Sequence, residues 1–232
     1  LVKGLNDAMP KNVITTGGMA GDAARFEKTL VGYNQNPTQG NIVLIGLYGD
    51  AINIGFGSYG GWDPFGPKRT VTKSLANELF ELDGKSALEL YKRYLGDRAK
   101  DLPGSALFFP LSIQLTPDAK PLVRTILSID EAKQSMIFAG DLPEGATVRL
   151  MKANVDKLVD GAYEAASSSK NNWKGGQPEL ALLISCVGRK LVLDQRIEEE
   201  IESVHEIIGG NIPTTGFYSY GEIAPFSDEV FC

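Results

Sequence analysis

Val123-Arg124-Thr125-Ile126-Leu127-Ser128-Ile129 is an apolar run interrupted by one cation, and three comparable runs surround it: Ala106 to Gln114, Ser135 to Ala139, and Thr147 to Lys152. Each is short and bounded by Pro, Gly, Asp or Gln, the pattern of strands joined by tight connections. Four such runs between Ser105 and Lys152 leave no room for crossover helices, so they predict an antiparallel sheet.

Upstream of this block, Glu78 to Leu82 followed by Asp83-Gly84 reads as a strand with its turn, and Ser86 to Leu95 as a helix closed by Gly96. Asn41 to Leu47 is continuously apolar and Ala51 to Phe56 alternates Ile52, Ile54 and Phe56, so both read as strands of a hairpin turning at Gly49-Asp50. Gly60 to Pro67 reads as a rigid irregular loop. Asn12 to Asp22 reads as a short strand entering a glycine loop at Gly17-Gly18, with backbone amides exposed there.

Downstream, an amphipathic helix starts at Asn154 and dissolves into the polar stretch Ser167 to Asn172. A buried strand from Leu180 to Cys186, a helix from about Leu191 to Ile208 and a second strand then form a strand-helix-strand unit. The fold class expected is α+β, mostly antiparallel strands in an N-terminal region, 1–166, then a linker, 167–177, and a small C-terminal α/β unit, 178–232.

Composition narrows function by exclusion. The 232 residues carry a formal charge of −6, 43% hydrophobic and 22% charged residues, the profile of an ordinary globular chain. Without a run of Lys and Arg there is no footprint for nucleic acid or an anionic membrane surface. No apolar run approaches the ~20 residues needed to cross a bilayer. Cys186 and Cys232 are the only cysteines, too few for a disulfide framework, so a reducing, cytoplasmic setting is expected. A chain opening on Leu1 and stopping at Cys232 reads as a fragment of a longer polypeptide.

The segment Gly216-Phe217-Tyr218-Ser219-Tyr220-Gly221-Glu222 concentrates the candidate chemistry. Glycine permits close backbone approach, the tyrosines offer flat faces with hydroxyls, and Glu222 accepts hydrogen bonds from an ammonium group. Packed turns use the same residues, so the segment alone does not decide. Arg124 is a cation in an apolar strand and needs a partner or a cavity. Gly17, Gly18 and Asp22 form a loop with a carboxylate handle that lacks nucleotide-binding spacing. Thr15-Thr16-Gly17 is echoed by Thr214-Thr215-Gly216, which raises the prospect of two loops facing across a cleft. His205, the single histidine, lies on an acidic helix, so no catalytic triad or metal-binding histidine pair is available.

The ordered set Gly17-Gly18-x-Ala20-x-Asp22, Gly61-Trp62-x-Pro64, Val71-Thr72, Leu82-Asp83-Gly84, Pro110-Leu111, Arg124, Gly145, Gly188-Arg189 and Gly216 to Glu222 resembles the FIST sensory-domain family over nearly the whole chain. The resemblance implies a bacterial input domain that binds a small ligand, with amino acids as the proposed class. It also implies an effector such as a histidine kinase, a chemoreceptor or a cyclic-di-nucleotide enzyme. On that basis the expected ligand-binding residues are Arg124, Glu222, Tyr218, Tyr220, Ser219, Gly17, Gly18, Asp22 and Arg189, with no catalytic residue, metal or cofactor. Some relatives are haem-binding nitric oxide sensors, but His205 among glutamates is a poor haem ligand. Two other readings stay open. One is an enzyme with Glu222 as base and Tyr220 as acid; the other is a docking module anchored by Trp62 and Phe65.

Overall fold

The computed structural model describes residues 2–10, 13–23, 25, 27–227 and 230–231. The chain is mixed α+β and divides into two compact units, one formed by residues 1–61 with 155–232, the other by residues 62–154. Asn12 and Cys232 lie outside the described residues.

The first unit opens with α1 (Val2–Ala8) and the two-residue strand β1 (Gly17–Gly18). Asn41 to Leu47 and Ala51 to Phe56, expected as a hairpin, form no strands. Apolar periodicity selects extended backbone, but a strand also needs a hydrogen-bonded neighbour. Here Ile45 is 82% and Leu44 69% exposed.

The second unit is a curled antiparallel sheet of β2 (Asp63–Leu75), β3 (Glu78–Leu82), β4 (Lys85–Ser86), β5 (Leu111–Gln114), β6 (Leu122–Arg124), β7 (Ile126–Asp130), β8 (Ser135–Phe138) and β9 (Thr147–Lys152). Its order is β6-β5-β9-β2-β3-β8-β7, with β4 beside β3. The expected antiparallel block is present, with three adjustments. Ala106 to Phe108 belongs to a 3-10 turn, so only Leu111 onward pairs. The run 123–129 is two strands separated at Thr125. The supposed loop at 60–67 is largely the start of β2, the central strand: a bulge between Phe65 and Lys68, with Gly66 at φ +77, absorbs the residues that argued against a strand. Asp83 (φ 50) and Gly84 (φ 71) make the two-residue turn between β3 and β4.

Helix α2 (Ala87–Leu95) covers this sheet. Ser86 Oγ accepts the Glu89 N–H at 3.2 Å, Gly96 at φ 58 ends the helix, and Leu88, Tyr91 and Leu95 fall on its buried side. Leu79, Ile113, Met136, Phe138 and Leu142 of this unit are fully buried.

The first unit resumes with α3 (Val155–Asn171), β10 (Ala181–Cys186), α4 (Val187–Leu193), α5 (Ile197–Ile208), β11 (Thr214–Ser219) and β12 (Glu222–Ile223). Ser167 to Asn171, expected as the start of a linker, is the last turn of α3: its serines are half-buried, and they continue a helix whose Ala162 and Ala166 are buried. The single helix expected over 191–208 is two. It begins directly at Val187 and is broken at Asp194, whose φ of 47 is outside helical space. Strands β10 and β11 pair in parallel from Ala181↔Thr214 to Cys186↔Ser219, as the expected strand-helix-strand unit requires. Ala162, Ala166 and Val204 pack with Leu183, Ile207 and Ile208 between α3, α5 and the sheet. The segment preceding Gly61 runs along α3, where a Cβ at Gly57 would stand 2.0 Å from the Ala165 carbonyl oxygen.

Candidate functional site

In an open parallel sheet the carboxyl ends of the strands are where side chains and free backbone groups converge. In the first unit, β10 ends on Cys186 and β11 on Ser219, directly opposite each other. Around these ends lie Ser185, Arg189, Glu200, Tyr218 and Glu222.

Arg189, on α4, is buried, and all three of its guanidinium nitrogens are hydrogen-bonded. Its Nε donates to Glu200 Oε1 at 2.6 Å, one terminal nitrogen donates to the Gly60 carbonyl at 2.8 Å and the other to the Leu158 carbonyl. Glu200, equally buried on α5, also accepts from Ser185 Oγ at 3.0 Å and from the Tyr218 hydroxyl at 3.3 Å. Burial and the adjacent Glu200 charge push the Tyr218 phenol up to about 12. Lys190 is exposed and stands 4.9 Å from the Tyr218 ring centroid.

Glu222 differs from all of these. Its Oε1 is shut off from solvent and has no hydrogen-bond partner. Burial pushes its carboxyl above the usual range, and Glu200 adds to that effect; hydrogen bonds from Ser219 and from its own backbone amide, and the Arg189 charge, act in the opposite direction. Cys186 accepts the Gly188 N–H at 3.3 Å, and burial with the nearby Glu222 holds its thiol up at about 11, the profile of an inert buried cysteine.

A short glycine strap, β1 paired antiparallel with β12, lies against the strand ends. Gly17 and Gly18 pair antiparallel with Ile223 and Glu222, Met19 donates to the Gly221 carbonyl at 3.0 Å, and Tyr220 donates back to the Met19 carbonyl at 3.1 Å. Only glycine fits at Gly18, where a Cβ would lie 2.8 Å from Ser219 Oγ and 2.9 Å from Ile184 Cγ2. Asp22 anchors the strap: its carboxylate accepts the Glu27 and Lys28 amides at 3.0 and 2.9 Å and the Tyr220 hydroxyl, which also lies 2.9 Å from the Ala23 carbonyl.

Eight of the nine residues expected from sequence therefore gather in one unit: Gly17, Gly18, Asp22, Arg189, Tyr218, Ser219, Tyr220 and Glu222. Asp22, Arg189 and Tyr220 are committed to partners within the protein. The ninth, Arg124, belongs to the other unit, on β6. There its Nε would stand 2.9 Å from a Cβ at Gly140, and it borders a groove of about 460 Å³ with Asp141 and Glu144. The echo of Thr-Thr-Gly does not correspond to like structures, since Gly17 is in an antiparallel pair and Gly216 in a parallel one.

Sequence reading does not single out Glu200, which sits in the glutamate run of the acidic helix. The signal was its spacing with Ser203, Val204 and Ile207, positions i, i+3, i+4 and i+7 of one helix face. His205, on that helix, has its Nε2 2.9 Å from Thr214 Oγ1, and Glu202 and Glu206 flank it, surroundings that do not fit a haem. Among the described residues no group of three or more His, Cys, Asp or Glu is suited to a metal ion, and no helix is long and apolar enough to cross a membrane.

Strap and strand ends together define a closed, polar cluster. The model of the FIST N domain matches residues 1–85 and that of the FIST C domain residues 87–225, so the chain belongs to the FIST family, whose domains are signal-transduction sensory domains. The two matches meet at residue 86, and the expected linker 167–177 falls inside the second. No curated protein and no solved structure matches the chain.

Proposed function

We propose that this chain senses a small ligand bearing an N–H donor, amino acids among them, at the carboxyl ends of β10 and β11. Binding there is read out by a separate signalling effector such as a histidine kinase, a chemoreceptor or a cyclic-di-nucleotide enzyme. The observation that carries the reading is Glu222 Oε1. A buried carboxylate oxygen without a partner costs about 1–3 kcal/mol or more, and a ligand that donates to it recovers that cost. Tyr218 and Ser219 form the walls, and Gly17-Gly18 the cover. Asp22, Tyr220, Arg189 and Glu200 hold strap and strand ends in position.

The enzyme reading draws less support. The Tyr220 hydroxyl is spent on Asp22 and Ala23, so it is poorly placed to act as the acid partner of Glu222.

A thermal-shift titration of wild type and Glu222→Gln with small amines and amino acids tests the proposal. Saturation at about a hundredfold over Kd adds about 2.7 kcal/mol, equivalent to a rise of roughly 5–10 °C for a chain of this size. The wild type should show this rise and the variant should lose it. Equal stabilisation of both proteins by the same compound removes Glu222 from the site.

A further inference from the structure

Strands β10 and β11 form a two-stranded parallel sheet, and among the described residues no strand is paired with the other edge of β10. Two strands are marginal alone, and three or more are the usual stable unit. Residues 51–58 show the complementary lack. They carry no charge and no proline, place Ile52, Ile54 and Phe56 at alternate positions, and belong to no strand. From residue 53 to 58 no bond to another backbone group is made among the described residues, while the Phe56 carbonyl accepts from Asn172 Nδ2 at 3.2 Å.

Helix α3 serves as a common ruler for the segment and for β10. A Cβ on Gly55, Gly57 or Gly61 would meet the backbone of Ser169, Ala165 and Lys157 respectively, so the segment runs opposite to α3. Leu183 of β10 packs with Ala162 and Ala166, and Arg189, just past the end of β10, reaches the Leu158 carbonyl. Strand β10 therefore also runs opposite to α3, and the two segments point the same way. Their levels agree as well: Gly57 and Leu183 both meet α3 near Ala165, and Gly60 and Arg189 meet each other at 2.8 Å near its first turn.

The faces match too. Gly55 and Gly57 on the segment and Leu183 on β10 face the helix, which leaves Ile52, Ile54 and Phe56 on the side of Leu180 and Leu182. Ile54 is 47%, Leu180 63% and Leu182 57% exposed, an apolar set that lateral pairing would bring together.

We infer that residues 52–58 are a switchable third strand of this sheet, adding in parallel to the open edge of β10 with Gly57 level with Leu183. The structure holds the open state, tethered at Gly60 by Arg189. Glycines at 55 and 57 allow close contact with α3 but lower strand stability, so the strand is conditional rather than permanent. Closing covers an unpaired edge and an apolar segment in one step, and it delivers the carboxyl end of a third strand to the Arg189 cluster.

Cysteine pairs test this, because a disulfide needs Cα atoms within about 7 Å and side chains on one face. Ile54→Cys with Leu180→Cys is the in-register pair; Asn53→Cys with Leu180→Cys places the thiols on opposite faces. All three positions are exposed, and cross-links are assigned by mass spectrometry with Cys186 and Cys232 retained. The in-register pair should form its intrachain disulfide at least tenfold faster. Equal rates, no intrachain disulfide, or a disulfide formed between two copies overturns the proposal. Residue-resolved hydrogen exchange on the wild type supplies a readout without substitution. Every second amide from 53 to 58 should be slowed at least tenfold relative to its neighbours, and uniformly fast exchange across the segment equally overturns the assignment.

Discussion

Glu222 is held in an environment that disfavours its charge, and this has a measurable sign. A carboxyl whose folded pKa lies above its unfolded value makes the native state bind more protons than the unfolded chain. Its favourable contribution is fully present below the unfolded value, about 4.3, and is lost as pH rises through the folded value. Glutamine keeps the shape and carries no charge at any pH. We therefore expect ligand-free Glu222→Gln to unfold at higher temperature than wild type at pH 7–8, with the gap closing toward pH 4. A gap that is constant with pH, or that widens on acidification, contradicts the burial argument. Such a variant, more stable and less responsive, is the pattern expected where a binding group is kept under strain for function.

At the scale of the element, two backbone features show how local geometry positions the cluster. Asp194 separates α4 from α5 with φ 47, which turns the chain so that Glu200 on α5 faces Arg189 on α4. Glycine adopts that conformation without a Cβ penalty, so Asp194→Gly should be neutral to stabilising by up to about 1 kcal/mol in chemical denaturation. Gly57 makes the opposite case: with the Ala165 carbonyl oxygen 2.0 Å from any added Cβ, Gly57→Ala must push the segment off α3. A loss of roughly 1–3 kcal/mol is expected by the same measurement. Because Gly60, three residues on, accepts from Arg189, that variant should also weaken ligand response. Wild-type stability in Gly57→Ala would mean that this segment is free to move away from the helix.

For the molecule as a whole, residues 62–154 are continuous in sequence and enclose their own core of Val71, Leu79, Leu88, Ile113, Met136, Phe138 and Val148. The first unit is made from two separated stretches, so its folding requires closing the chain around the second. Expressed alone, 62–154 should give a cooperative thermal transition and a dispersed amide spectrum. A non-cooperative melt would show that its curled sheet depends on the remainder of the chain.

Strand periodicity, the Asp83-Gly84 turn, the Ser86 and Gly96 caps and the parallel pair entering Cys186 were legible from residue order, because each depends on neighbours within a few positions. Glu222, Tyr218, Ser219 and the Gly17-Gly18 loop were singled out as candidates from residue order, and the fold brings them to one end of the β10–β11 pair. Three things depended on contacts distant in sequence. Asn41 to Phe56 has strand periodicity without a strand partner, and pairing is a property of two segments. The stretch 63–75 became a central strand despite Pro64, Gly66 and Pro67, because a bulge opposite β9 accommodates them. Arg189 looked like a ligand cation until its three nitrogens met Glu200, Gly60 and Leu158, residues 11 to 129 positions away. Composition and order determined which groups were available for binding. Only the tertiary structure decided which were consumed internally, because satisfaction of a buried polar group depends on what the fold brings within about 3 Å of it.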